Sequence, residues 1–296
     1  EMSASLVGSE MCIRDRGYIV KTGKSAAAAW MLYLLMVIML FLFLAPFGIV
    51  FFNSLKPLNE ILLDPLSLPD QLHFENFTQA WTILNVPKAL GNTVLITAVS
   101  VFFLVFLTAM SSYWISRHHD AWSGLMEKII IGSALIPFST LMLPLIMVLR
   151  KGGMINTYTG GILTYVGIGF PLAYLIMKGA AVGIPLEMDE AAMMDGCRPS
   201  QTFFKVIFPL MKPTVATVVI SDVFWIWNEF QIALILLNTQ KLQTLQLAIN
   251  SMFGAYSTKW DIALPGLIIS VVPIIVVFLL LQKHIIAGMI NGAVKS

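Results

Sequence analysis

Long apolar runs separated by short polar connections dominate the chain. A helix needs roughly 20 mostly apolar residues to cross the hydrocarbon of a bilayer. Six windows meet or approach that length: Ala26 to Phe52, Ala89 to Ser116, Ile129 to Leu149, Gly160 to Met177, Pro213 to Leu237 and Ile262 to Gln282, the fourth being the shortest. All six are expected to be helices, because hydrocarbon offers the backbone no water to bond and a barrel would show short alternating segments instead. The pattern therefore predicts an all-α, polytopic membrane protein with six transmembrane helices. Prolines at 46, 137, 144, 171, 265 and 273 punctuate the spans, either as kinks in packed helices or as breaks of the kind found along transport pathways. Residues 1–16 have no apolar run and resemble read-through of linker sequence, so functional reasoning leaves them aside. The organisation expected is a tail over 1–25 and one transmembrane domain over 26–296.

Composition strengthens this picture. The chain is 58% hydrophobic and 11% charged, with a mean hydropathy of +0.84, whereas soluble domains carry roughly 25% charged residues. A net charge of +2 gives no basic surface for nucleic acid. Cys12 and Cys197 are far apart and lack metal-ligand spacing. His118 and His119 are adjacent, so on a helix they would point about 100° apart and make no metal pair. The chain contains neither a GxxxxGK[ST] phosphate loop nor an evident Ser/His/Asp set, so it is not expected to hydrolyse ATP or to act as an enzyme.

Lys and Arg are distributed unequally between the two sets of connections. Arg14, Arg16, Lys21, Lys24, Arg117, Lys128, Lys178, Arg198, Lys205, Lys212, Lys283 and Lys295 would share one side, against Lys56, Lys88, Arg150, Lys151, Lys241 and Lys259 on the other. The positive-inside rule then puts both termini in the cytoplasm, together with the connection after the fourth span.

That connection holds the least membrane-like stretch of the chain, LEMDEAAMMDG over 186–196. Pro185 suits a helix start, and Glu187, Asp189 and Glu190 crowd the first turn, where the macrodipole favours carboxylates. Gly196 suits the stop. Arg198-Pro199-Ser200 can open a second helix through Phe204 and Val206, which Pro209 is expected to end. The pair would form a helical hairpin, with Ala191 and Ala192 permitting close approach and Met193, Met194, Phe203 and Phe204 offering adaptable apolar contact. Docking to another protein is favoured over lying on lipid headgroups, because anionic lipid would repel the acidic first helix.

Glu190-Ala191-Ala192, Gly196 and Val206-Ile207-Phe208-Pro209 resemble the EAA loop of binding-protein-dependent ABC transporter permeases, with Val206 and Phe208 in place of the pattern's Ile and Leu. Asn53-Ser54-Leu55-Lys56-Pro57, Glu75-Asn76-Phe77, Asn156-Thr157-Tyr158, Trp227-Asn228-Glu229-Phe230 and the ending Gly292-Ala293-Val294-Lys295 are similar to the carbohydrate-type members, and to the six-span maltose-type subunit in particular. The resemblance covers nearly the whole chain from about Lys24. It implies a cytoplasmic EAA coupling-helix hairpin in which Glu190, Ala191, Ala192, Gly196, Val206, Phe208 and Pro209 engage an ATPase. It also implies an inner-membrane location, a second permease subunit, two ABC ATPase subunits that hold ATP and Mg, an external solute-binding protein, and a sugar-like small molecule as cargo. No cofactor is expected on this chain itself.

The fifth span carries Asp222 and Glu229 seven residues apart, which on a continuous helix would put them on nearly one face. An ionised group at mid-membrane costs on the order of 2.5–3.5 kcal/mol, so both should face a cavity or a partner. With Trp225, Trp227, Asn228 and Phe230 they form candidate pathway residues, since aromatic faces beside amide and carboxylate groups suit a sugar. Other readings stand beside this one: interhelical hydrogen bonding, Glu229 reaching the external interface, an ion-coupled secondary carrier in which Asp222 and Glu229 relay protons or bind a coupling ion, and a passive scaffold, which paired intramembrane carboxylates disfavour.

Overall fold

The computed structural model describes residues 26–254 and 258–293. The tail expected over 1–25 and the Val294-Lys295 ending lie outside the described residues. The chain divides into two compact units, Glu1–Ile49 and Val50–Ser296. Helix α1 (Ala26–Asn53) begins in the first unit, runs without a break through Pro46, and is apolar on every side.

The second unit continues with α2 (Leu58–Leu63), α3 (Glu75–Ile83), α4 (Val86–Arg117), α5 (Ala121–Ser133), α6 (Phe138–Lys151), α7 (Tyr158–Val182), α8 (Glu187–Met194) and α9 (Pro199–Thr202). A π-turn over Phe203–Ile207 leads to α10 (Phe208–Leu210), α11 (Lys212–Asn228), α12 (Gln231–Leu236), α13 (Leu245–Asn250) and α14 (Trp260–Ala293). Among the described residues the only β-type pairing is an isolated bridge between Phe253 and Thr258. Among the described residues four continuous helices are long and apolar enough to cross a membrane, or six where each of two bent pairs forms one span.

Three spans differ from the apolar windows. The third is split into α5 and α6, which meet at 108°. The break falls before Pro137, whose extended backbone (ψ 139°) caps α6, because a proline disfavours helical backbone in the residue that precedes it. The fourth, shortest by apolar counting, is an unbroken 25-residue helix. Its first turns carry Gly160, Gly161 and Thr164, which are buried against protein, so hydropathy undervalues them. The fifth ends at Asn228, Glu229 turns extended (ψ 130°), and α12 follows as a separate helix. Of the six prolines expected to punctuate the spans, only Pro137 marks a break; Pro46, Pro144, Pro171, Pro265 and Pro273 lie inside helices.

The core is built on α4 and α7, which lie side by side and parallel. At one end the Tyr158 hydroxyl donates to Asn92 Oδ1 at 2.7 Å, and at the other Arg117 reaches the carbonyl of Ala181. Between them α11 crosses antiparallel, with Trp225 edge-on to Tyr165 at 6.0 Å. Gly169 sits where the three helices meet: a Cβ there would lie 3.0 Å from side-chain atoms of both Leu104 and Trp225. A small residue allows this approach, as at many membrane helix crossings. α14 then packs on α11 through Trp227, whose indole N–H donates to the Ser270 carbonyl at 3.3 Å, and through the Phe224–Phe278 ring pair.

The short signatures of the sequence are hydrogen-bonded joints. Lys56 is fully buried; its ammonium donates to the Asp64 carbonyl at 2.9 Å and to Ser67 Oγ at 3.0 Å. The Asn76 amide donates to the carbonyls of Ser54 and Lys56, binding α3 to the turn that follows α1. Asn156 adopts left-handed backbone (φ 58°) and accepts from the Thr239 N–H, while Thr157 caps α7 by accepting from the Gly160 N–H at 3.0 Å. Buried backbone and ammonium groups require such partners, which explains why these polar residues interrupt an apolar sequence.

Candidate functional site

The acidic stretch forms α8, and the residues that set its ends behave as capping chemistry dictates. Gly196 has φ +78°. The N–H of Gly196 donates to the Met193 carbonyl and that of Cys197 to the Ala192 carbonyl, both at 3.0 Å. This is the paired bonding of a Schellman stop, which needs left-handed backbone at its glycine. The next helix opens at Pro199, with the Arg198 N–H donating to Gln201 Oε1 at 2.9 Å. Pro209 does not end it. The π-turn ahead of it, in which the Phe208 N–H reaches back to the Phe203 carbonyl, widens the helix where the proline ring would otherwise crowd a carbonyl. The helix runs on to Leu210 and then bends by 74° into α11.

The two faces of α8 differ sharply. Glu187, Glu190, Ala191, Met193 and Met194 are exposed, Met194 at 88%, whereas Asp189 and Ala192 are buried. Of the other residues expected at this site, Gly196 is exposed and Val206, Phe208 and Pro209 are half-buried.

Asp189 holds the hairpin to the helix pair beneath it. Arg117, the last residue of α4, places Nε and Nη2 each 2.9 Å from Asp189 Oδ2. The hydroxyl of Tyr113, one turn earlier, donates to Asp189 Oδ1, so both carboxylate oxygens are engaged. Arg117 also donates to the carbonyls of Ala181 and Ile184, the latter at 2.9 Å, and its guanidinium lies 5.6 Å from the centre of the Tyr113 ring. One side chain thereby joins the ends of α4 and α7 to α8. Aromatic contacts join α4 to the other arm of the hairpin: Phe106 stacks on Phe208 at 5.7 Å, and Tyr113 meets Phe203 at 5.4 Å. Lys178 and Glu127 form an ion pair between α7 and α5.

In the sequence Arg117 reads only as a loop charge and Asp189 only as a first-turn carboxylate. The available signal was the one-residue offset from Glu190. That offset turns Asp189 about 100° round the helix, so the two cannot share a face.

The candidate pathway residues are brought together less than expected. Asp222 is 5% exposed and its Oδ2 has no hydrogen-bond partner among the described residues. Glu229 lies beyond the end of α11, where its carboxylate accepts from the Tyr165 hydroxyl at 3.0 Å and from the Ile232 N–H at 2.9 and 3.0 Å. It caps α12, and the shared helix face expected for the two carboxylates does not exist. Trp227 is buried on Ser270, Trp225 and Phe230 are half-buried, and Asn228 is exposed, with its amide turned back onto the Phe224 carbonyl at 2.8 Å. A separate, apolar cavity of about 520 Å³ opens between the α5–α6 bend and α7, lined by Phe138, Leu141, Pro144, Leu163, Gly167 and Pro171 among others.

Comparison with known proteins accords with this architecture. Residues 105–291 match the family described as binding-protein-dependent transport system inner membrane component. The chain is 32% identical over 267 residues to a probable starch degradation products transport system permease protein of Thermoanaerobacterium thermosulfurigenes, covering 90% of this chain and 97% of that protein. It is 32% identical to the melibiose/raffinose/stachyose import permease protein of Bacillus subtilis (85% and 91% covered) and 29% identical to an arabinooligosaccharides transport system permease protein of Halalkalibacterium halodurans (94% and 100% covered). Its fold matches a chain of a bacterial ABC transporter involved in import of the acidic polysaccharide alginate, with a TM-score of 0.72 at 20% identity, over 86% of this chain and 95% of that one.

Proposed function

The chain belongs to the family of binding-protein-dependent transport system inner membrane components, and from that premise we propose that it is the permease subunit of an ATP-driven oligosaccharide importer. In this reading it pairs with a second permease and two ATPase copies that hold ATP and Mg, and it receives its cargo from an external solute-binding protein. The relatives are named for starch degradation products, for melibiose, raffinose and stachyose, and for arabinooligosaccharides, so a short glycan is the cargo class. Both termini and the α8–α10 hairpin are assigned to the cytoplasm, from the excess of Lys and Arg there.

The observation that carries this reading is the two-faced hairpin. A short acidic helix is clamped on its inner side by Asp189 and presents Glu190, Ala191 and two methionines outward, a surface suited to a cleft on another protein. Closure of the ATPases would push on this helix and rock the spans, so that access alternates between the two sides. The pathway wall is assigned to α11, where Trp225, Asn228 and Phe230 could meet the C–H faces and hydroxyls of a sugar, with Asp222 and Glu229 in supporting positions. No observation favours the ion-coupled carrier, since the two carboxylates it needs neither pair nor share a helix face.

The test is a mild-detergent pull-down of the tagged chain from its native cells, with partners identified by mass spectrometry. Recovery of a P-loop ATPase and a second permease is expected. Glu190→Lys should lower ATPase recovery by about tenfold or more, equivalent to about 1.4 kcal/mol of lost interface, while leaving the second permease bound. Recovery of the chain alone, under conditions that preserve other complexes, would overturn the proposal.

A further inference from the structure

The geometry around Arg117 points to a second role for the acidic turn, distinct from docking. We propose that Arg117, Asp189 and Tyr113 form a rigid linkage that makes α8 and the adjoining ends of α4 and α7 move as one body. The inference rests on the reading of α8 as a coupling helix and names the residues that pass its movement inward.

Three observations support it. First, neighbouring carboxylates of one turn do opposite things: Glu190 is exposed, whereas Asp189 is 3% exposed with both oxygens bonded. Second, from the end of α4 the arginine makes four contacts on two other elements, more than the three donors of a lysine could supply. It takes the carboxylate of α8 with Nε and Nη2, and the carbonyls of Ala181 and Ile184 at the end of α7 with Nη1 and Nη2, from its own position at the end of α4. Third, the surroundings are stiff. The Tyr113 ring lies against both the guanidinium and Phe203, so the polar joint is backed by packed aromatics. Packed, fully bonded joints of this kind transmit displacement because they do not deform continuously. Arg117, Asp189 and Tyr113 are positioning residues here; Glu190 remains the docking residue.

The experiment uses the assembled complex, purified through this chain and reconstituted in lipid nanodiscs, with ATP plus vanadate as the probe. Spin labels are placed on native Cys197, directly after α8, and on Met110→Cys, an exposed position of α4, with Cys12 replaced by serine. One narrow distance is expected between the labels, unchanged by ATP plus vanadate. Arg117→Gln should leave ATPase recovery at the wild-type level but shift or broaden that distance when ATP plus vanadate is added. Tyr113→Phe, which removes one hydroxyl and keeps the ring, should produce a smaller change of the same kind and guards against a folding defect in the first variant. A purely structural role would lower the yield of complex while the surviving complexes kept the wild-type distance in both states, and that result would overturn the linkage. Failure of the underlying reading looks different, because the wild-type chain would then bring down no ATPase at all.

Discussion

Two aspartates, Asp189 and Asp222, are buried almost equally, at 3% and 5% exposure, yet their surroundings are opposite. Asp189 has Arg117 on one oxygen and Tyr113 on the other. Asp222 lies in a membrane-crossing helix with one oxygen lacking any partner among the described residues. Burial alone therefore says nothing about role. A satisfied carboxylate fixes the relative position of the elements it joins, and an unsatisfied one stores interaction capacity that a ligand, a second subunit or another conformation can use.

The comparison breaks most visibly if its satisfied member proves dispensable. Asp189→Ala leaves the largely buried Arg117 guanidinium without its counter-charge, and removing one partner of a buried pair costs about 3–5 kcal/mol. The thermal midpoint of the detergent-solubilised chain should fall sharply. An unchanged midpoint would mean that Arg117 finds full compensation in the Ala181 and Ile184 carbonyls. Asp189→Asn should fall between, since an amide keeps one acceptor oxygen of the two in use and offers no charge.

How much of this difference could be read in the sequence depends on which physical property each residue expresses. Span number, helix class and the ends of α8 were legible because apolar length, first-turn carboxylates and a terminal glycine are local signals. The π-turn before Pro209, the extended backbone at Glu229 and the fork of Arg117 were not, because each depends on what a distant segment places opposite it. Spacing put Asp222 and Glu229 on one face only on the assumption that the helix continued through Asn228 and Glu229. Tyr165 and the Ile232 N–H supply the alternative bonds that let it stop. Apolar counting likewise undervalued α7, whose buried Gly160 and Gly161 lie against Met154 and Leu237 rather than in lipid.

A smaller effect sharpens the same comparison at the far end of α8. Gly196 has φ +78° and no atom within 4 Å of the position a Cβ would take. The cost of substitution is thus confined to the left-handed backbone, about 1–2 kcal/mol for an ordinary L residue. Gly196→Ala should lower stability by that amount, and Gly196→Asn by less, because asparagine tolerates the conformation. Gly196→Leu should assemble in the membrane at close to the alanine variant's level yet lose transport, since its side chain projects from the exposed docking side. Wild-type uptake by the leucine variant would show that this turn does not approach the ATPase.

The smallest change in stability is expected at the unsatisfied member. Asp222→Asn keeps the shape of the side chain and removes the possibility of charge. Because the carboxyl has a free oxygen rather than an ion-pair partner, the thermal midpoint should move by no more than the equivalent of about 1 kcal/mol, within the usual range for a substitution that breaks no network. Its transport rate is the informative measurement. If uptake falls while the midpoint holds, the free oxygen is used by a state or a subunit beyond this chain, as expected of a residue on the pathway wall. If both hold, the carboxylate is a tolerated buried group, and the wall must be sought among Trp225, Asn228 and Phe230. A loss of several kcal/mol would dissolve the contrast with Asp189, because it would reveal a bonded partner that makes the two aspartates structurally alike.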